Sequence, residues 1–208
     1  MSGLYDRVQG AAQFLSGRGE RPRAWIILGT GLGGLAGRIE GAVPVPYEEI
    51  PHFPRSTSPG HSGELILGRL QDVPVAAMAG RCHYYEGYSM EEVTLPVRVA
   101  RALGAAALLV TSAVGGLDPE YRTGDLFAVE DHLNLMGDTP LRGPNDDRLG
   151  IRFPDMKVPY DPVLLDRAQA VAGEHGFPLR RGVLAAVGGP QLESRAAARC
   201  LRTSGADA

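Results

Sequence analysis

The sequence has few cysteines, no long apolar run and little net charge, and each of these features argues against a class of protein. Its 208 residues include two cysteines, Cys82 and Cys200, which are too few for a disulfide framework and lack metal-site spacing. No apolar stretch is long enough to span a bilayer, and the charged N-terminus lacks the apolar core of a signal peptide. Lys and Arg number 21 against 24 Asp and Glu, a net charge of −3. We therefore expect a cytoplasmic protein that binds no metal, no nucleic acid and no membrane.

Glycine is abundant, with 28 residues, and many of these glycines follow apolar runs. Apolar segments typical of buried strands, such as Trp25–Leu28 and Ala105–Thr111, alternate with helical periodicity, as in Leu4–Leu15. The alternation predicts an α/β fold: one domain over residues 1–208, with a central mixed, largely parallel β-sheet flanked by helices. Ligands in such folds bind at the carboxyl ends of the strands. The segment Gly41–Gly60 is rich in proline and is predicted to be an irregular connection.

Local signals place the other elements. The remaining predicted strands are Glu64–Leu70, Val73–Ala79, Leu126–Val129 and Gly182–Val187. Ser89 and Glu92 have the spacing of a capping box and predict a helix that ends at Gly104. Asp161-Pro162 predicts the start of a further helix, and Ser194–Ser204 predicts another.

The first strand ends in a glycine-rich turn, Gly29–Gly34, which fits the pattern of a dinucleotide-binding turn. That interpretation requires a second strand ending in an acidic residue about 20 residues further on. The segment Val43–Pro51 stands there and contains three prolines, which do not suit a central strand. We favour an anion site built from backbone N–H groups, a helix N-terminus and the hydroxyl of Thr30. A tight turn without a ligand is the other alternative.

Two candidate anion-binding residues, Arg81 and His83, follow the predicted strand that ends at Ala79. Being two residues apart, they project on the same side of an extended chain. Arginine can bind two phosphate oxygens at once, and histidine adds a further donor. The alternative is that Arg81 pairs with a glutamate at the surface while His83 caps a loop. His61, which lies between glycines in Gly60–Gly63, is a weaker candidate.

Six motifs then occur in a fixed order. They are Gly29–Gly33, Gly60–Gly63, Arg81–Tyr88, Leu141–Asp146, Arg152–Pro154 and Gly189–Glu193. In this order they resemble the trimeric, 6-oxopurine type of purine nucleoside phosphorylase, from about residue 5 to residue 208. The resemblance implies that orthophosphate attacks the anomeric carbon of a purine ribo- or deoxyribonucleoside, such as inosine or guanosine. The products would be the free base and a pentose 1-phosphate. Orthophosphate would be a co-substrate, and no cofactor is implied.

The resemblance also implies roles for individual residues. The implied phosphate-binding residues are Thr30, His61, Arg81, His83 and Ala113. Tyr85 would line the sugar, and Ala113 would also contact the nucleoside. Leu192 would pack against the base, and Glu193 would accept hydrogen bonds from the N1 side of the purine, with His83 and Glu193 as the catalytic residues. Phe153 would reach into the site of a neighbouring subunit, which implies a homotrimer. The alternative for Glu193 is a carboxylate that is favoured at a helix start.

The sequence departs from the family pattern at several positions. Ser112 stands where the family usually has Asn, and Leu192 stands where an aromatic residue is usual. Ser194-Arg195 replaces the usual Thr-Pro and is similar to 5′-methylthioadenosine phosphorylases, whereas Tyr85 and Glu193 favour 6-oxopurine nucleosides. Family members continue past Ala208 into a strand with further sugar and base contacts, so we expect this chain to be truncated. A catalytically impaired nucleoside-binding or phosphate-binding protein is therefore a further alternative, beside a dinucleotide-dependent oxidoreductase.

Overall fold

The computed structural model describes residues 3–56 and 62–208. Within these residues the α-helices are α1 (Leu4–Ser16), α2 (Met90–Ala102), α3 (Pro162–Glu174) and α4 (Arg195–Thr203). The strands in the same ranges are β1 (Ala24–Leu28), β2 (Glu40–Pro46), β3 (Glu64–Leu70), β4 (Val73–Ala79), β5 (Ala107–Val110), β6 (Leu126–Asn134) and β7 (Leu179–Ala186). Short 3₁₀ helices lie at Gly33–Arg38, Tyr47–Glu49 and Tyr84–Glu86.

In the described part of the chain, five strands form one mixed sheet in the order β2-β3-β4-β1-β5. Strand β1 runs parallel to both β4 and β5, and β3 is antiparallel to β2 and β4. Strands β6 and β7 form a separate parallel pair. The predicted α/β class with a mixed, mostly parallel sheet flanked by helices is confirmed.

Contacts within the chain define two compact units. The first comprises the chain up to Ala113 together with Pro140–Arg152, and it contains the five-stranded sheet with α1 and α2. The second comprises Val114–Thr139 and Phe153–Ala208, and it contains β6, β7, α3 and α4. The expectation of one domain over residues 1–208 stays a prediction.

The core of the first unit lies on both faces of β1, whose side chains alternate between the two faces. Trp25 and Ile27 pack in a cluster with apolar residues of α1 and α2. Ile26 and Leu28 pack in a second cluster, which includes side chains of the 3₁₀ helix at Gly33–Arg38. Because β1 is held on both faces, the turn that follows it starts from a fixed position.

Strand β2 corrects the prediction that Gly41–Gly60 is an irregular connection. Its residues pair only with β3, at the edge of the sheet. Pro44 and Pro46 fit there, because an edge strand has one side on which no N–H group is needed. Proline content therefore excluded a central strand here, but it did not exclude an edge strand.

The sequence predicts a buried apolar strand at the position of β5. The structure confirms the strand, but the prediction that it is buried is wrong. It lies at the other edge of the sheet. Leu108, Leu109 and Val110 are 43%, 47% and 58% exposed. Apolar composition indicates a strand here, but burial depends on which strand is its neighbour, and that is not a local property.

In the second unit, the last residues of the chain lie beside β7. The N–H of Asp207 donates to the carbonyl of Val183 (2.8 Å), and the N–H of Ala185 donates to the carbonyl of Ala208 (2.7 Å). The Asp207 carboxylate accepts the N–H of Val183 at 2.9 Å.

Strands β6 and β7 are both longer than predicted. Asp161 caps α3 as predicted, accepting N–H groups of Val163 and Leu164.

The start of α2 is a capping box, as predicted. The Ser89 hydroxyl accepts the N–H of Glu92 at 3.3 Å, and the Glu92 carboxylate accepts the N–H of Ser89 at 2.8 Å. The hydroxyl also donates to that carboxylate at 2.7 Å. These hydrogen bonds from Ser89 lower the pKa of Glu92 below its usual value.

We expect Ser89→Ala to lower the free energy of unfolding by about 1 kcal/mol at neutral pH, the usual value of an N-cap. A depressed carboxyl pKa contributes stability above the unfolded pKa, about 4.3, and that stability is lost as the pH falls through the folded pKa. The difference from wild type should therefore shrink at acid pH. Urea unfolding at neutral and acid pH measures it, with Ser204→Ala, which removes an exposed hydroxyl at the C-cap of α4, as control. Equal urea midpoints at neutral pH would contradict the assignment.

Candidate functional site

Three parallel strands of the first unit, β4, β1 and β5, lie side by side, so their carboxyl ends meet at one edge of the sheet. Gly80-Arg81 follows β4, Gly29-Thr30 follows β1, and Thr111–Ala113 follows β5. Three predicted site residues, Thr30, Arg81 and Ala113, therefore come from segments separated in sequence but adjacent in the fold. This is the edge at which α/β proteins bind ligands.

The turns after β1 and β5 are joined by Thr111. Its hydroxyl accepts the N–H of Gly29 at 2.8 Å and donates to the carbonyl of Ile27 at 3.1 Å. A Cβ on residue 29 would lie 2.4 Å from the carbonyl oxygen of Thr111 and 2.9 Å from the Cα of Ser112. Gly29 is therefore required by close approach of two backbones. No local sequence pattern indicates this role of Thr111.

The glycine-rich turn continues into a 3₁₀ helix, and the anion site predicted at this turn stays a prediction. Gly31 has a φ of +89°, and the N–H of Leu32 donates to the carbonyl of Gly29 at 3.1 Å. The helix that follows, Gly33–Arg38, has six residues and is not an α-helix. A helix this short has a smaller dipole than a longer α-helix, so its N-terminus adds less to an anion site. Thr30 itself is exposed.

Arg81 lies across the end of β5. Its guanidinium donates from one terminal nitrogen to the Thr111 carbonyl at 3.0 Å and from the other to the Ser112 hydroxyl at 2.8 Å. Burial lowers the pKa of the guanidinium, and the nearby Tyr85 hydroxyl acts in the opposite direction. Arginine remains charged at neutral pH despite such a shift. The Arg81 guanidinium is thus a part-buried positive charge that hydrogen bonds hold at the strand ends.

The backbone just before Arg81 accepts hydrogen bonds from two hydroxyl groups. The hydroxyl of Tyr47 is buried and donates to the carbonyl of Gly80 at 2.7 Å. Burial is the main cause that raises the pKa of Tyr47, so this phenol is a neutral donor. The hydroxyl of Ser62 donates to the carbonyl of Ala79 at 3.1 Å. No sequence signal identified Tyr47 as a support of this segment.

His83 is held by a carboxylate and by an aromatic ring. Its Nδ1 lies 2.6 Å from an oxygen of Glu86, and that oxygen also accepts the His83 N–H at 2.8 Å. The His83 ring stacks on Tyr85 with centroids 4.7 Å apart. His83 is the N-cap of the 3₁₀ helix Tyr84–Glu86, as the loop-cap alternative proposed. Two predicted site residues, His83 and Tyr85, are therefore in contact. The carboxylate of Glu86, which the sequence analysis did not single out, fixes the orientation of the His83 ring.

Cys82 lies between Arg81 and His83 in sequence but is buried. Burial, together with the charge of Glu86, raises the pKa of its thiol to about 12. The thiol is therefore protonated at neutral pH and is a poor nucleophile. Within the described residues, no group of three or more His, Cys, Asp or Glu side chains could hold a metal ion.

The remaining predicted site residues belong to the second unit or lie outside the described residues. His61 lies outside the described residues. Leu192 and Glu193 belong to the second unit, where Leu192 is 89% exposed and Glu193 is exposed. Glu193 immediately precedes Ser194, the N-cap of α4, whose hydroxyl accepts the N–H of Ala197 at 3.2 Å. Phe153 opens the second segment of that unit and is 85% exposed.

Across residues 3–56 and 62–208, no helix combines the length and the apolar character needed to cross a membrane.

Comparisons with known proteins identify relatives along nearly the whole chain. The sequence profile of the phosphorylase superfamily matches residues 23–208. The chain is 52% identical to purine nucleoside phosphorylase 1 of Bacillus subtilis over 206 residues, which cover 99% of this chain and 76% of that protein. It is 44% identical to the purine nucleoside phosphorylase of Bos taurus, covering 98% of this chain and 73% of that one.

A solved structure gives the same result. The isoform 2 purine nucleoside phosphorylase of Schistosoma mansoni, in complex with cytosine and ribose-1-phosphate, matches with a TM-score of 0.93 and 39% identity. The match covers 98% of this chain and 73% of that chain. At this identity the likeness extends beyond the fold to the sequence.

Proposed function

Because this chain belongs to the purine nucleoside phosphorylase family, we propose that it catalyses the phosphorolysis of purine nucleosides. The observation that carries the proposal is the position of Arg81, part-buried at the meeting carboxyl ends of β4, β1 and β5. A fixed guanidinium at this edge is suited to an oxyanion such as orthophosphate. The dinucleotide-dependent alternative is set aside, since the relatives are phosphorylases.

The reaction requires little covalent chemistry from the protein. Orthophosphate attacks the anomeric carbon as the glycosidic bond breaks, and the bonding electrons leave with the purine, which takes up a proton. The sugar becomes oxocarbenium-like in the transition state, as in glycoside hydrolysis. A phosphate anion held beneath the sugar stabilises that charge and is also the nucleophile. Catalysis is then a matter of positioning and of charge placement.

On this proposal, residues at and just after the strand ends of the five-stranded sheet bind the phosphate. Arg81 binds two phosphate oxygens, His83 donates a further hydrogen bond, and Thr30 and Ala113 border the anion. His61 joins them as the resemblance implies. Tyr85, which stacks on His83, places its ring toward the sugar. The Glu86 carboxylate fixes the orientation of the His83 ring, and that orientation decides which nitrogen faces the anion.

The purine side of the proposal follows the roles that the resemblance implies. We propose that Glu193 accepts hydrogen bonds from the purine, that Leu192 packs against the base, and that Phe153 serves a neighbouring subunit in a homotrimer. The high exposure of Leu192 and Phe153 fits side chains that contact a ligand or another subunit. Phosphate is a co-substrate and no cofactor is proposed. The proposed cellular location is the cytoplasm.

Replacing Glu193 by alanine should lower kcat/KM for inosine about thirtyfold, the order expected when a charged hydrogen-bond acceptor is removed. The free energy of unfolding should change little, because Glu193 is exposed. Steady-state kinetics with inosine and thermal unfolding measure the two quantities. Glu174→Ala, at the end of α3, is the matched control. Unchanged kinetics would mean that Glu193 is only the carboxylate preceding α4.

The choice of substrate tests the proposed function itself. Hypoxanthine release from inosine should need phosphate and should exceed adenine release from 5′-methylthioadenosine. Faster turnover of methylthioadenosine would favour the second candidate function, for which Ser194-Arg195 is the supporting feature. Binding of phosphate or nucleoside without turnover would instead indicate a catalytically impaired homologue.

A further inference from the structure

The hydroxyl of Ser112 holds one arm of the Arg81 guanidinium. The hydroxyl accepts from one terminal nitrogen of Arg81 at 2.8 Å and itself donates to the carbonyl of Ala113 at 3.2 Å. Because its proton points to Ala113, the oxygen presents a lone pair to the guanidinium. The other terminal nitrogen donates to the Thr111 carbonyl at 3.0 Å. Two adjacent residues of the β5 turn therefore hold both arms of one arginine.

Two hydrogen bonds restrict the orientation of the Arg81 guanidinium more than one hydrogen bond does. A single hydrogen bond, such as that to the Thr111 carbonyl, does not by itself set the plane of a guanidinium. The second contact, at Ser112, fixes the plane of the group. Arginine binds an oxyanion with two parallel hydrogen bonds only when its plane is aligned with two of the oxygens. Errors of about 1 Å in such positioning have large effects on rate.

We propose that Ser112 is a positioning residue for phosphate binding, which sets the plane of the Arg81 guanidinium from the turn after β5. The inference rests on the proposed function, in which Arg81 binds orthophosphate. Ser112 needs no contact with the substrate for this role. Its hydroxyl acts through Arg81, and the carbonyl of Ala113 keeps that hydroxyl in the accepting orientation.

Removing the hydroxyl should therefore affect phosphate more than nucleoside. We expect Ser112→Ala to weaken the binding of inorganic phosphate about tenfold, the order expected for one hydrogen bond to a charged donor. The KM for inosine should change by less than about twofold, since Ser112 acts only through the phosphate-binding arginine. Ser112→Thr keeps a hydroxyl in place and should restore phosphate affinity to near the wild-type value.

Isothermal titration with inorganic phosphate is the primary measurement, and steady-state kinetics separate the two KM values. Ser16→Ala, which removes a hydroxyl that donates to the Gln13 carbonyl within α1, controls for loss of a serine. If Ser112→Ala lowers the stability of the protein and raises the KM for phosphate and the KM for inosine by the same factor, Ser112 has a structural role and the proposal is overturned.

The titration also separates this inference from the proposed function. If wild type releases hypoxanthine and Ser112→Ala binds phosphate as wild type does, the inference fails and the function stands. If phosphate binding weakens in Ser112→Ala but no variant turns over a nucleoside, the inference stands and the function fails. A wild-type chain that does not bind phosphate overturns both.

Discussion

Replacing Arg81 by alanine is expected to lower kcat/KM for phosphate about a thousandfold, the largest catalytic effect that the site predicts. Truncating one partner of a part-buried charge pair costs about 4 kcal/mol, and each 1.36 kcal/mol is about tenfold. The guanidinium lies at the meeting ends of three strands and is held by Thr111 and Ser112. On the proposed function, its loss leaves the phosphate anion without its principal countercharge. Initial rates over a range of phosphate concentrations measure the effect.

Two further variants make the result specific to Arg81. Arg81→Lys keeps the charge but cannot form two parallel hydrogen bonds, so it should recover only part of the loss. Arg69→Ala removes an arginine of β3 that pairs with Glu20 and should leave the kinetics unchanged. An Arg81→Ala protein that is folded and keeps the wild-type dependence on phosphate would remove Arg81 from the proposed site.

Adding one methyl group at Gly29 is expected to cost about 3 kcal/mol of unfolding free energy, the upper part of the usual range for overpacking. The new Cβ would lie 2.4 Å from the Thr111 carbonyl oxygen and 2.9 Å from the Cα of Ser112. Both are backbone atoms, so no side chain can rotate away. The turns after β1 and β5 would have to separate, which would move the carbonyl that accepts from Arg81. Gly29→Ala should therefore lose phosphate affinity as well as stability.

Gly37→Ala is the matched control for this substitution. Gly37 lies in the 3₁₀ helix of the same turn region, and nothing lies within 4 Å of the position that its Cβ would occupy. Its substitution should change stability by less than about 0.5 kcal/mol. Urea unfolding with phosphate titration compares the two variants. A Gly29→Ala protein as stable as wild type would show that the two turns are not in close contact.

Local chemistry made much of the fold predictable. The cap residues Ser89, Asp161 and Ser194 mark helix starts because each satisfies N–H groups within its own first turn. The errors came from long-range pairing. Pro44 and Pro46 are tolerated because β2 lies at an edge of the sheet, and no local pattern shows where an edge will be.

In the candidate site, too, some residues could be predicted from local sequence and others could not. Arg81 and His83 could be identified because their residue types carry anion chemistry after a strand. Thr111 and Tyr47 could not, because each supports the site through a partner that is distant in sequence. The hydroxyl of Thr111 contacts Gly29, 82 residues away, and that of Tyr47 contacts Gly80, 33 residues away. Their roles arise only when the sheet brings the strand ends together.

The measurement that tests the account most directly is the identity of the sugar product. Inosine and orthophosphate are incubated with this chain, and ³¹P NMR follows the phosphate signal while absorbance follows hypoxanthine. The account predicts a new signal from ribose 1-phosphate that grows in equal amount with hypoxanthine, and neither product forms without phosphate. Hypoxanthine released together with free ribose, at a rate independent of phosphate, would contradict the claim that the strand-end site holds phosphate as the nucleophile.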